Sequence, residues 1–219
     1  MNMKLQVPNK LSEIKLSQYV EYLNLIEGIK TKDEDFVNLK MIEIFCGVDY
    51  EFAKTIEYVN VLHIVQILKD TLDQKPDIKD DKFFKINGVE FGFIPKIDAL
   101  PYGEFLDLNS NITDWKNIHI SMGVLFRPVT KKRRRMYLVE DYKKDKYHSV
   151  LKDMPMSAVV GSMVFFWNLG IELLNCIPKY LEENQSQMNS QTKQYIKGNG
   201  DGIQQSIDSL TTMLQDMKI

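Results

Sequence analysis

Apolar residues recur at helical spacing through the first third of the chain. In "KLSQYVEYLNLIEG" they fall at Tyr19, Tyr22, Leu23 and Ile26, with Ser17 placed to cap and Gly28 to stop the helix. "KDEDFVNLKMIEIFCG" repeats the plan. Acidic residues open it, where the helix dipole favours them, and Gly47 closes it after Phe36, Leu39, Ile42 and Cys46. "DYEFAKTIEY" predicts a short helix or turn. "YVNVLHIVQILKDTLDQKP" predicts a longer helix, with Val61, Ile64, Val65 and Leu68 on one stripe and Pro76 beyond its end.

The period then changes. "KFFKINGVEFGFIP" alternates on both sides of Asn87-Gly88, a pair suited to the positive φ angles of a two-residue hairpin turn. Strands are expected at 83–86 and 89–93, ended by Pro95. "ALPYGEFLDLNSNI" and "TDWKNIHISMGVLFRPV" return to helical spacing. The second has Thr113 or Asp114 as cap, a face of Trp115, Ile118, Met122 and Leu125, and Pro128 as its end. "RMYLVEDY" predicts a strand near 135–140, paired with a segment before it or with the first hairpin. "DKYHSVLKDM" predicts a short helix. "PMSAVVGSMVFFWNLGIELLNCIPKYLEE" predicts the longest helix, with Pro155 in its first turn and a kink or break at Pro178.

From about 185 the chain is polar and dotted with glycine. It holds too few apolar residues to offset the entropy of ordering. A flexible linker is expected over 185–202, then a short amphipathic helix in 203–219 with Ile203, Ile207, Leu210 and Leu214 at helical spacing. The fold class expected is mainly α with a small antiparallel β-hairpin or sheet (α+β). It has a compact helical body, 1–184, and a flexible C-terminal extension.

Composition narrows the function. The 219 residues carry 30 acidic and 28 basic side chains, a net charge of −2, so any pull on nucleic acid must be local. Cys46 and Cys176 both sit in apolar runs and read as buried thiols of a reduced compartment. The N-terminal residues lack the apolar core of a signal peptide. The stretch starting at Met156 approaches the length of a membrane span, but Asn168 and Glu172 interrupt it, and it reads as a core helix. No membrane association and an intracellular, soluble protein are the expectations.

The strongest local charge is the run Lys131, Lys132, Arg133, Arg134 and Arg135, with Arg127, Tyr137 and Tyr142 close by. Glu140, Asp141 and Asp145 follow at once. A solvated hairpin tip is the first reading. A contact to phosphate or to a neighbouring subunit is the second, and nucleic acid is not favoured as the partner. His63, His119 and His148 lie on different elements without metal-ligand spacing, and His63 reads as a core-edge residue. "GNGDG" (198–202) lacks the Lys-Ser/Thr of a phosphate loop, and neither cysteine has a local base. No catalytic residue, metal site or cofactor is assigned. Phe165, Phe166 and Trp167, with Leu169, Leu173 and Leu174, wrap most of a helix, which suits a core or a protein interface. Leu210 and Leu214 are further interface candidates, and the helix starting near Ser17 could also dock on a partner.

Three stretches carry a family resemblance: "VEFGFIPKIDALPYGEFLDLNSNITDWKNIHISMGVLFRPV", "MYLVEDY" and "LKDMPMSAVVGSMVFFWNLGIELL". Together they resemble morphogenesis proteins of tailed bacteriophages, of the tail assembly chaperone kind. The resemblance runs from about residue 10 to the C-terminus and is clearest over 89–175. It rests on Gly92, Pro95, Gly103, Glu104, Asp114, Trp115, Arg127, Pro128, Pro155, Phe166 and Asn168. It implies a non-enzymatic late protein that binds the tape-measure protein, keeps it soluble in the host cytoplasm and helps tail-tube subunits polymerise on it. It also implies a helical body with a flexible extension. The alternative is a structural protein of the head–tail connector or tail, or a packaged virion protein, held by subunit interfaces as a homo-oligomer. Its basic loop would then face DNA or a neighbouring subunit.

Overall fold

The computed structural model describes residues 5–28, 33–76, 78–79, 81–97, 99–134 and 136–184, with side chains described through Leu169 and at Glu172 in the last helix. The linker expected at 185–202, the helix expected at 203–219 with Leu210 and Leu214, and Arg135 lie outside the described residues.

The fold is α+β. After a 3-10 turn at Leu11–Glu13 come α1 (Leu16–Gly28), α2 (Glu34–Cys46), the short α3 (Tyr50–Ala53) and α4 (Tyr58–Leu72). A hairpin, β1 (Phe83–Ile86) and β2 (Val89–Phe93), leads to α5 (Tyr102–Asn111) and α6 (Ile118–Leu125). Then follow β3 (Phe126–Arg133), β4 (Met136–Val139), α7 (His148–Leu151) and the long α8 (Met156–Asn184). The strands form one antiparallel meander in the order β1-β2-β3-β4.

Local signals set most of these bounds. Asp33 accepts the Phe36 N–H at 3.1 Å and caps α2. Asn87 (φ 50°) and Gly88 (φ 80°) make the expected turn, with Ile86 paired to Val89. Gly92 packs beneath Phe83 and Val129, where a Cβ would meet both at 3.0 Å. Ser17 lies inside the first turn of α1 instead of capping it. The cap is made by Gln18, whose Oε1 accepts the Lys15 N–H at 2.9 Å.

Three boundaries differ from expectation. The helix expected to run on to Pro128 ends at Leu125, and Phe126 opens β3 at the next residue. Residues 114–117 form a turn in which Asp114 accepts from the Lys116 N–H and the Asn117 side chain, so Asp114 does not cap a helix starting beside it. "MGVLFRPV" is a short apolar run, and such a run fits a buried helix and a buried strand equally. Pro128 sits inside β3, next to the register shift between Val129 and Lys131, and its carbonyl accepts the Glu140 N–H at 2.9 Å. The kink or break expected at Pro178 does not end α8, which continues to Asn184. A proline withholds one N–H, and the turns on either side keep their own bonds.

The core is one contiguous cluster running from Leu11 to Met163. The first turns of α8, Met156 through Met163, are buried all round, and burial declines from Val164 onward. Its start is tied to the start of α1: Leu16 N–H donates to Met154 O at 2.9 Å and Met156 N–H to Ile14 O at 2.8 Å. Rings join the sheet to α8. Phe126 lies 5.1 Å from Phe84 and 5.3 Å from Phe93, and Phe93 lies 5.7 Å from Phe165. Each such contact adds about 0.5–1.5 kcal/mol beyond the area it buries.

Every core residue among the described ones lies at or before Phe166. Deletion of 185–219 should therefore leave one cooperative thermal transition, measured by circular dichroism. Loss of that transition would show that the extension is part of the folding unit.

Candidate functional site

The basic run occupies the end of β3 and the turn into β4. Lys131, Arg133 and Arg134 are exposed, and Arg134 takes positive φ (53°) in the turn. Lys132 is engaged within the sheet: its Nζ lies 3.8 Å from the centre of the Phe83 ring and 3.2 Å from Glu90 Oε1. Tyr137 shares that face, with its ring 4.7 Å from Phe83 and its hydroxyl donating to Phe93 O. Burial pushes the Tyr137 hydroxyl up to about 12.

Arg127 is a neighbour of the run in sequence only. It points inward, donates from Nε to Val124 O at 3.0 Å and pairs with Glu104 of α5. Its guanidinium also lies 5.4 Å from the centre of the Tyr142 ring. Tyr142 donates to Asp107 at 3.1 Å. A hydrogen bond from Lys144 is the main cause that holds Asp107 below the usual carboxylate range, with Tyr142 adding to it.

The aromatic stretch of α8 splits in two. Phe165 and Phe166 pack against the core, while Trp167 is half-buried and Asn168 exposed. Where α8 leaves the body a cavity of about 570 Å³ opens beside it. Ile78, Phe93, Ile97, Phe165 and Leu169 line it, and Lys75, Lys79 and Lys82 stand around it together with Asn168 and one carboxylate, Glu172.

The structure also joins two histidines that lie 29 positions apart in the chain, His119 and His148, with ring centroids 6.1 Å apart. His148 Nδ1 lies 3.1 Å from Asp145, and its buried Nε2 has no hydrogen-bond partner. His119 is buried. Burial lowers its pKa, and the charges of Lys152 and His148 lower it further, against smaller opposing effects of the Lys116 backbone and Asp114. No spacing rule in the sequence marks this pair, because α6 and α7 meet only in the fold. His63, expected at the core edge, is instead exposed on α4.

Cys46 is half-buried, and burial pushes its thiol up to about 11, so it is protonated at neutral pH. Among the described residues no group of three or more His, Cys, Asp or Glu is placed to hold a metal ion. No described helix is long and apolar enough to cross a membrane. No family model, curated protein or solved structure matches the chain.

Two outcomes follow. Arg127→Ala strands a mostly buried Glu104 and should cost about 3 kcal/mol in urea unfolding. Arg134→Ala, at an exposed turn, should fall within about 0.5 kcal/mol of wild type. Equal costs would refute the different roles assigned to them.

The second concerns pH. His119 takes up its proton at lower pH in the folded chain than in the unfolded one. Its neutral form therefore supports the fold fully above the unfolded value of about 6.5, and that support is lost as pH falls below it. The melting temperature should drop between about pH 7 and pH 5, and the drop should shrink in His119→Asn. Asp107 and Glu140, both held low, contribute above the unfolded carboxylate range, and their loss comes at still lower pH.

Proposed function

We propose that this chain is a non-enzymatic phage assembly factor of the tail assembly chaperone kind. It would hold an amphipathic helix of a structural partner such as the tape-measure protein while the tail is built in the host cytoplasm. The observation that carries this reading is the cavity beside α8, with its apolar lining and its lysines. A helix with an apolar stripe and acidic flanks suits such a groove, because it buries the stripe and keeps its charges against the lysines. Further large apolar side chains are exposed on two other helices: Tyr58, Val59 and Leu62 on α4, and Tyr102, Phe105 and Leu106 on α5. The resemblance to tail assembly chaperones supports the same reading.

A second reading, a connector or tail protein retained in the virion, draws support from the exposed Lys131, Arg133 and Arg134. Those side chains are available to DNA phosphates or to an acidic neighbour.

The test is co-expression with the tape-measure protein of the same phage, comparing wild type with Leu169→Asp and Lys75→Glu. Recovery of soluble complex should fall at least about tenfold in Leu169→Asp with the melting temperature unchanged. Unaltered recovery in both variants would refute the groove. A fixed copy number in purified virions, measured by mass spectrometry, would favour the connector instead.

A further inference from the structure

We infer that β4 is a self-association edge, on which two copies of this chain pair antiparallel through Tyr137 to form one continuous sheet.

β4 closes the order β1-β2-β3-β4 and so, among the described residues, has one side without a paired strand. The Glu140 N–H donates to Pro128 O, and Leu138 O accepts from Thr130 Oγ1 at 3.3 Å. The backbone groups of Met136, Leu138 and Glu140 therefore turn toward β3. By the two-residue period of a strand, those of Tyr137 and Val139 turn away from it.

Nothing in Met136–Val139 blunts this edge. It has no charge and no proline, and Met136 and Leu138 are 73% and 60% exposed. An open edge with apolar side chains is a template for another strand.

The sequence around the edge is complementary to itself when reversed. Side-by-side antiparallel copies require a two-fold axis perpendicular to the sheet, so opposed residues must share a face. That allows a register centred on any residue of β4. Centring on Met136 sets Leu138 against Arg134, and centring on Val139 sets Leu138 against Glu140, each an apolar side chain against a charge. Centring on Leu138 would set Met136 against Glu140. Centring on Tyr137 sets Met136 of each copy against Leu138 of the other, and the two Tyr137 residues exchange backbone bonds. The basic turn of each copy then lies beside residues 140 and 141 of the other. Glu140 is already bound by Lys146 and Tyr147 of its own chain, so the charge match falls to Arg133 and Asp141. Parallel pairing would bring basic turn against basic turn and is disfavoured by charge. A second copy is thus the occupant that the edge itself specifies. This inference does not depend on the helix-binding groove, which lies beside Phe165 and Leu169.

Sedimentation velocity over a concentration series tests it, with the full chain as wild type, Leu138→Lys, Arg133→Glu, Asp141→Arg and the last two combined. The expected result is a reversible dimer that weakens as salt rises. Leu138→Lys and each single charge reversal should weaken it at least about tenfold, and the combined reversal should restore it to within about threefold. Melting curves confirm that each variant is folded. A wild-type chain that stays monomeric to about 0.5 mM, or a dimer indifferent to Leu138→Lys, would overturn the assignment.

Discussion

A helix that becomes a strand with no loop between them, α6 into β3, ties the helices of this fold to its sheet. α6 ends at Leu125 and β3 begins at Phe126, and both residues are fully buried. The helix end must still satisfy its last carbonyls. Leu125 O accepts the Ile94 N–H at 2.8 Å, which draws in the chain just past β2. Val124 O accepts Arg127 Nε, so a cation sits at the negative end of the helix. The same guanidinium reaches Glu104, which fixes α5 against the junction. One arginine thus joins a helix terminus, a second helix and the middle of the sheet.

How the sequence reads follows from where each signal resides. The acidic opening of α2 and the Asn87-Gly88 pair act through their own backbone neighbourhoods, so the start of α2 and the first hairpin are legible from a few residues, while the Asp33 cap itself appears only in the structure. The junction was not, because a short apolar run has no period long enough to separate helix from strand. Arg127 reads as part of a basic patch when charge is counted along the chain. Its actual direction depends on Glu104, 23 positions earlier, and on the pleat of β3. The approach of His119 to His148 is likewise a product of α6 packing on α7. The aromatic run reads as core or interface in the sequence; the structure encloses the first turns of α8 and places Phe165 and Leu169 beside a cavity.

One ion pair, Arg127–Glu104, and a chain of aromatic rings lie inside, while other ion pairs described are at the surface. Phe83, Tyr137 and Lys132 pack on one another across β1, β3 and β4, which stiffens the strand that carries the exposed charges. A stiff hairpin presents its edge and its basic turn in fixed geometry, so any partner that bound there would lose less ordering entropy. The cavity beside α8 has the same logic, because its floor is built from Phe93 and Phe165, already fixed by the ring contacts of the core.

A rigid α6–β3 junction is what positions the hairpin edge and the outer part of α8 at the margins of the fold. Hydrogen exchange followed by mass spectrometry on the full chain in dilute solution tests it most directly. The account predicts the slowest exchange in peptides covering 118–128, with much faster exchange at the open side of β4 and in the outer turns of α8. Exchange across 118–128 as fast as in β4 would contradict it, since the junction could then not be what holds the layers in place.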